Sequence, residues 1–210
     1  CDVPMQVIYN GIDTEMFRPG SRVRQPGAPF RLLYVGSWMA RKGVDLLAPI
    51  MRELGEGFEL HYTGGPDAKK DKPAMPINMH DMGRLSGDQV IAAMQAADAF
   101  LFPSRSEGLP LVAIEAMSCG LPVIGMQSTV MAEVVSNGET GWLCQRDKVD
   151  DCVTAVRRLA AMGDQLAQMQ KEARRHAVEK FALISMLDSN LELYQRLLFA
   201  KGAKSVIAEP

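Results

Sequence analysis

The stretch AFLFPSRSEGLPLVAIEAMSCGLPVIG, residues 99–125, sets a short apolar run, a glycine turn, a helical pattern and a second apolar run in succession. Ala99 to Pro103 is aromatic and bounded by proline, which predicts a buried strand. Leu109 to Ser118 predicts the following helix, and Pro122 to Gly125 the next strand. Two carboxylates interrupt this unit. Glu107 sits in the Ser-Glu-Gly turn, and Glu115 follows eight residues later among Ala113, Ile114, Ala116 and Met117. An unpaired buried carboxylate is costly by several kcal/mol, so Glu115 requires donors from the protein or from a ligand.

The same alternation extends in both directions. Phe30 to Gly36, Phe58 to Gly65 and Ile77 to Gly83 read as earlier strands, and Thr140 to Cys144 as a sixth. Lys42 to Leu54 places Val44, Leu47, Ile50, Met51 and Leu54 on one helical face. Ser86 is positioned to N-cap a helix running to about Ala97, and a short helix is expected near Val130 to Val135. Pro66 to Pro76, with three prolines, reads as a surface loop. Beyond Asp150 three amphipathic helices run to about residue 199. The fold class expected is therefore α/β: a doubly wound, parallel, six-stranded Rossmann-like sheet with helices on both faces and extra C-terminal helices. Residues 30–199 form that domain; residues 1–29 lead into it as a connector or an extra strand, and residues 200–210 are a loose tail.

Composition narrows the partners. Among 210 residues, 47% are hydrophobic, enough for one large core, and the net charge of −2 gives no reason to expect nucleic acid. The paired cations Lys69-Lys70 and Arg174-Arg175 read as solvated faces. The four cysteines form no CxxC or paired Cys/His spacing, so reduced thiols are expected rather than zinc or disulfides. The three histidines, His61, His80 and His176, stand apart in sequence, and neither a catalytic nor a metal role is expected of them. No apolar run reaches spanning length. The chain opens at Cys1 and enters strand-like sequence almost at once, which reads as a fragment of a longer protein.

In a doubly wound sheet, ligands bind beyond the carboxyl ends of the strands. The loops to inspect follow Val35, Thr63, Met82, Phe102 and Ile124. In the first, Gly36 permits close backbone approach, and Lys42 stands where a helix macrodipole disfavours a cation unless an anion binds between them. In the fourth, Gly108 permits the turn and Pro110 suits a first helical turn. Free amides at that helix terminus make a diphosphate site, with Glu107 beside it and Glu115 one turn deeper. Glycoside hydrolysis needs carboxylates about 5–5.5 Å or about 6.5–9.5 Å apart. Eight residues of mostly helical path span roughly 12 Å, which suits two holds on one elongated ligand better.

These residues resemble the carboxyl-terminal, donor-binding domain of the retaining two-Rossmann-domain (GT-B type) glycosyltransferases of group 1. The likeness runs from Val7-Ile-Tyr-Asn-Gly-Ile-Asp to Gly138-Glu-Thr-Gly-Trp-Leu143, followed by typical closing helices. Its most specific element is Glu107-x7-Glu115 with Gly108 and the following Ala-Met-Ser-Cys-Gly-Leu-Pro-Val; Asn137-Gly-Glu-Thr-Gly141 is a weaker second. The resemblance implies that Glu107 contacts donor-sugar hydroxyls and that Glu115 holds the ribose. The amides of Gly108 and Leu109, with Pro110 behind them, would cradle the diphosphate, and Lys42 would neutralise it. Gly83-Arg84-Leu85 would lie along the base.

The implied reaction moves a sugar from a UDP- or GDP-linked donor to an acceptor hydroxyl with retained anomeric configuration. It would use no metal or cofactor, and it would need an N-terminal Rossmann domain. A cytoplasmic location is implied, with contact to the inner membrane face open through that domain. One departure stands out: the family's first loop has an arginine where this chain has Ser37, so either Arg41 or the N-terminal domain supplies the substitute charge, or turnover is slow or absent. A non-catalytic nucleotide-sugar-binding module and a sugar-nucleotide epimerase are the alternatives.

Overall fold

The computed structural model describes residues 5–22, 24–64 and 75–200. The elements run, among the described residues, in the order β1 Phe30–Tyr34, α1 Val44–Leu54, β2 Phe58–Tyr62, β3 Met79–Asp81, α2 Gly87–Ala96, β4 Ala99–Phe102, α3 Leu111–Ser118, β5 Val123–Met126, α4 Thr129–Val134, β6 Gly141–Cys144, α5 Val149–Ala160, α6 Asp164–Phe181 and α7 Leu183–Ala200. All pairs are parallel, in the order β3-β2-β1-β4-β5-β6. The order reverses between β1 and β4, which opens the crevice where a doubly wound sheet takes its ligand.

The two-residue period of a strand divides β1 between two cores. Leu32 and Tyr34 face α1 and α5 with Leu60, Leu101 and Ile124, whereas Leu33 faces the opposite core with Phe100, Ile114, Met117 and Phe181. Both faces of the sheet are thus covered, and β4 and β5 are buried at every position. That is why these two strands read as continuous apolar runs.

The lead-in segment is tied down at several points. Ile12 makes a single parallel bridge to Ala182, with Ile12 N–H donating to Phe181 O at 2.9 Å and Leu183 N–H to Ile12 O at 2.8 Å. It is therefore docked on the α6–α7 junction and adds no strand to the sheet. Asp98 holds Arg22 and the amide of Arg31, each at 2.8 Å.

Several boundaries shift from expectation. Ala40–Lys42 forms a single 3-10 turn, so α1 begins at Val44 and Lys42 lies before the helix. Gly43 makes this possible: its φ is 71°, and a Cβ there would lie 1.9 Å from the Pro103 carbonyl oxygen. Pro110 is the N-cap of α3, one position ahead of the first helical turn assigned to it. β3 keeps only the middle of the expected Ile77–Gly83 run. Ser86 does cap α2, with Gln89 Oε1 accepting from its N–H at 2.9 Å. The Arg174 face is not solvated: its Nη1 donates to the carbonyls of Thr14, Phe17 and Ser118, tying α6 to the lead-in and α3. Most of the proline-rich loop, the C-terminal tail, Cys1 and Lys69-Lys70 lie outside the described residues.

Candidate functional site

The loops after β1 and β4 meet at the switch point. The approach of Gly43 to Pro103 brings the 3-10 turn against the β4–α3 loop, and two hydrogen bonds fix the contact. Arg105 N–H donates to the Arg41 carbonyl at 2.9 Å, and Ser104 Oγ, whose single proton is shared with Glu107 Oε1, makes a weaker three-centre contact to the same oxygen at 3.3 Å. Both are bonds to the main chain, so they set the position of the turn whatever its side chains do.

Lys42 and Glu107 then face each other. Lys42 Nζ donates to Glu107 Oε1 at 2.7 Å, with the two side chains only 15% and 12% exposed. Ser104 Oγ donates to the same carboxylate oxygen, and the ammonium also lies 5.7 Å from the centre of the Phe102 ring. A lysine and a glutamate 65 residues apart are thus set against each other at the mouth of α3. Immediately after them, the amides of Gly108 and Leu109 donate to no described acceptor. Unspent amides beside a cation are an anion-binding arrangement.

Glu115 lies deeper on α3, flanked by buried Ile114 and Ala116. Its carboxylate has no hydrogen-bond or ion-pair partner among the described residues, and burial pushes its pKa up. The protein does not supply the donors this group requires, which leaves them to a ligand or to water.

On the other side of the crevice a cleft of about 390 Å³ lies over the carboxyl ends of β1, β2 and β3. Gly36, Thr63, Gly83, Arg84 and Leu85 line it, and the Gly36 amide is fixed to Thr63 Oγ1 at 3.1 Å. Gly36, Arg84 and Leu85 are therefore neighbours in space, although 48 and 49 positions separate the latter two from Gly36. Ser37 is exposed, and its carbonyl accepts from Tyr34 Oη at 3.1 Å. Arg41 is exposed as well, with its guanidinium uncommitted among the described residues.

Sequence reasoning overlooks the residue that joins these parts. Arg105 donates to both oxygens of Asp45 at 2.7 Å, to Asp147 and to the carbonyl of Ala40. Asp147, at φ 60°, is the one non-glycine residue with positive φ among those described. A single arginine thereby braces the 3-10 turn, the start of α1 and the β6–α5 loop. Its position inside the Glu107 turn is the only sequence signal it gives. His61 and His80, apart in sequence, also prove to be neighbours, with ring centroids 5.0 Å apart across β2 and β3.

Comparison with known proteins places the arrangement. The family described as Glycosyl transferases group 1 matches residues 21–176. The chain is 34% identical to sulfoquinovosyl transferase SQD2 of Arabidopsis thaliana over 164 residues, covering 71% of this chain and 32% of that protein. It is 39% identical to a D-inositol 3-phosphate glycosyltransferase of Rhodococcus jostii over 215 residues, covering 91% and 47%. Among solved structures, sucrose-phosphate synthase from Thermosynechococcus elongatus superposes with a TM-score of 0.82 at 25% identity, over 93% of this chain and 53% of the other. HepE of Anabaena, solved in complex with UDP-glucose, shares the fold with a TM-score of 0.77 at 17% identity, over 91% and 57%. The chain spans about half or less of the length of these relatives. It belongs to the group 1 glycosyl transferases and has the Rossmann-like sheet of their GT-B fold.

Proposed function

We propose that this chain is the donor-binding half of a retaining glycosyltransferase. It would hold a nucleoside diphosphate sugar while a second Rossmann domain supplies the acceptor hydroxyl. The observation that carries the reading is the Lys42–Glu107 pair beside the open Gly108 and Leu109 amides. HepE was solved with UDP-glucose, which supports the ligand class.

In this reading the diphosphate lies against the two amides and draws Lys42 toward itself. Glu107, released from the ammonium, accepts hydrogen bonds from the sugar hydroxyls. Glu115 accepts from the ribose hydroxyls, and the base rests in the cleft along Arg84 and Leu85. Transfer then depends on stabilising the departing diphosphate, with the amides and Lys42 supplying positive charge where negative charge develops. Uncommitted Arg41 provides the further cation that Ser37 does not. In this reading Lys42, Arg41 and the amides supply the positive charge that a metal would otherwise bring to the diphosphate.

Ser37 favours a second reading, a nucleotide-sugar-binding module without turnover. Loss of one such donor costs about 3–4 kcal/mol of transition-state stabilisation. Calorimetric titration of this chain with UDP, GDP and their sugar conjugates tests the shared part of both readings: saturable binding of at least one conjugate is expected. Silence toward all of them at millimolar concentration overturns both. Sugar transfer by the full-length protein then separates them.

A further inference from the structure

We propose that Glu59, His61 and His80 form a binding site for a zinc-class divalent transition-metal ion, at the β2–β3 edge of the sheet and outside the donor crevice. Glu59 and His61 stand two residues apart on β2, so they share a face, and His80 is the register partner of His61 on β3. His61 Nε2 lies 3.5 Å from Glu59 Oε1, and His80 Nε2 lies 3.8 Å from Glu59 Oε2. One ligand atom from each residue falls within 4.8 Å of the others.

These separations are long for hydrogen bonds. They are close to the spacing of two donors that share one ion. Metal–ligand bonds of about 2.0–2.2 Å in tetrahedral geometry place neighbouring donors roughly 3.3–3.6 Å apart. The two imidazoles set Nε2 against different oxygens of one carboxylate, so all three groups converge on one point. Two imidazoles and a carboxylate suit a zinc-class ion, whereas magnesium and calcium prefer all-oxygen sites. The His80 side chain is 47% exposed and gives the ion a path and a fourth, solvent position.

Arg31, the register partner of Glu59 on β1, donates Nε to Glu59 Oε1 and Nη1 to the Ala96 carbonyl. It orients the carboxylate and leaves Oε2 for the ion. Its own charge opposes the bound cation, so the site is one of moderate affinity. An ion here would staple β3, only three residues long, to β2. β3 runs directly into Gly83, Arg84 and Leu85 of the cleft.

The test titrates this chain, under reducing conditions, with Zn²⁺ and with Co²⁺ as a spectroscopic stand-in. Stoichiometric binding of one ion and a raised Tm are expected, with no response to Mg²⁺. His61→Ala and His80→Ala should each abolish both effects. His80 is exposed enough to be removed without leaving a cavity, so it carries the test if His61→Ala weakens the fold. Absence of binding to the unaltered chain, or binding that persists in the double histidine variant, overturns the proposal.

Discussion

Arg105 and Asp45 form a two-pronged pair, with Nη1 and Nη2 each 2.7 Å from one carboxylate oxygen of the aspartate. Asp45 is the second residue of α1 and Arg105 lies in the β4–α3 loop, so the pair locks the two ligand-facing loops together. The planar fork is essential to this geometry, and a lysine cannot reproduce it. Arg105→Lys is therefore expected to lower stability by about 1–3 kcal/mol and to weaken nucleotide binding, with Arg105→Ala worse on both counts. Thermal melts paired with calorimetry check this; a lysine variant equal to the parent in both would show that the brace is dispensable. The Arg105 hydrogen bond also holds the Asp45 pKa below its usual value of 3.8. Its contribution to stability is present above that value and is lost as pH falls toward the depressed one.

Glu115 predicts effects of opposite sign. Burial raises its pKa, and a carboxyl whose folded pKa exceeds its unfolded value destabilises the fold at neutral pH. That penalty fades as pH falls through the folded value toward 4.5. Glu115→Gln should thus raise Tm at neutral pH, by a margin that shrinks on acidification. It should also weaken nucleotide binding about tenfold or more, as expected for loss of a charge-assisted hydrogen bond. A variant that loses stability along with affinity would show that Glu115 is held by the protein rather than reserved for a ligand.

Glu107 distinguishes the sugar from the nucleotide. Its removal frees Lys42, whose Nζ it now holds at 2.7 Å, so the phosphate contact is retained while the sugar contact is lost. Glu107→Ala should reduce affinity for a sugar nucleotide more than for the bare nucleoside diphosphate. Competition titrations against both ligands read this ratio, and the reverse order would exchange the roles of Glu107 and Glu115.

The sheet was legible because β4 and β5 are buried on both faces and their sequences carry little else. Glu107, Lys42 and the Gly36–Arg84–Leu85 lining were legible as loop residues after strands, where the topology gathers them. Partnerships set by register or by loop contact were not. The meeting of His61 with His80 depends on the pairing of β2 with β3, which no local pattern encodes. Arg105 finds Asp45 and Asp147 because Gly43 lets two loops touch, and Arg174 finds Ser118 because α6 packs on α3. The helix starts moved by one or two residues for a related reason. Gly43 and Pro110 act as caps, and the tertiary contact decides where the regular hydrogen bonding begins.

Calorimetry of Lys42→Ala beside Arg175→Ala, each against the nucleoside diphosphate that the parent chain binds, tests the crevice most directly. Among the described residues Arg175 pairs with Glu172 and Glu179 on its own helix, and it is a surface cation of the same charge. The account predicts a loss of at least about tenfold for Lys42→Ala, a change of roughly 1.4 kcal/mol, with Arg175→Ala unchanged. Equal affinities for the two variants would contradict it, because the ligand would then be bound away from Lys42.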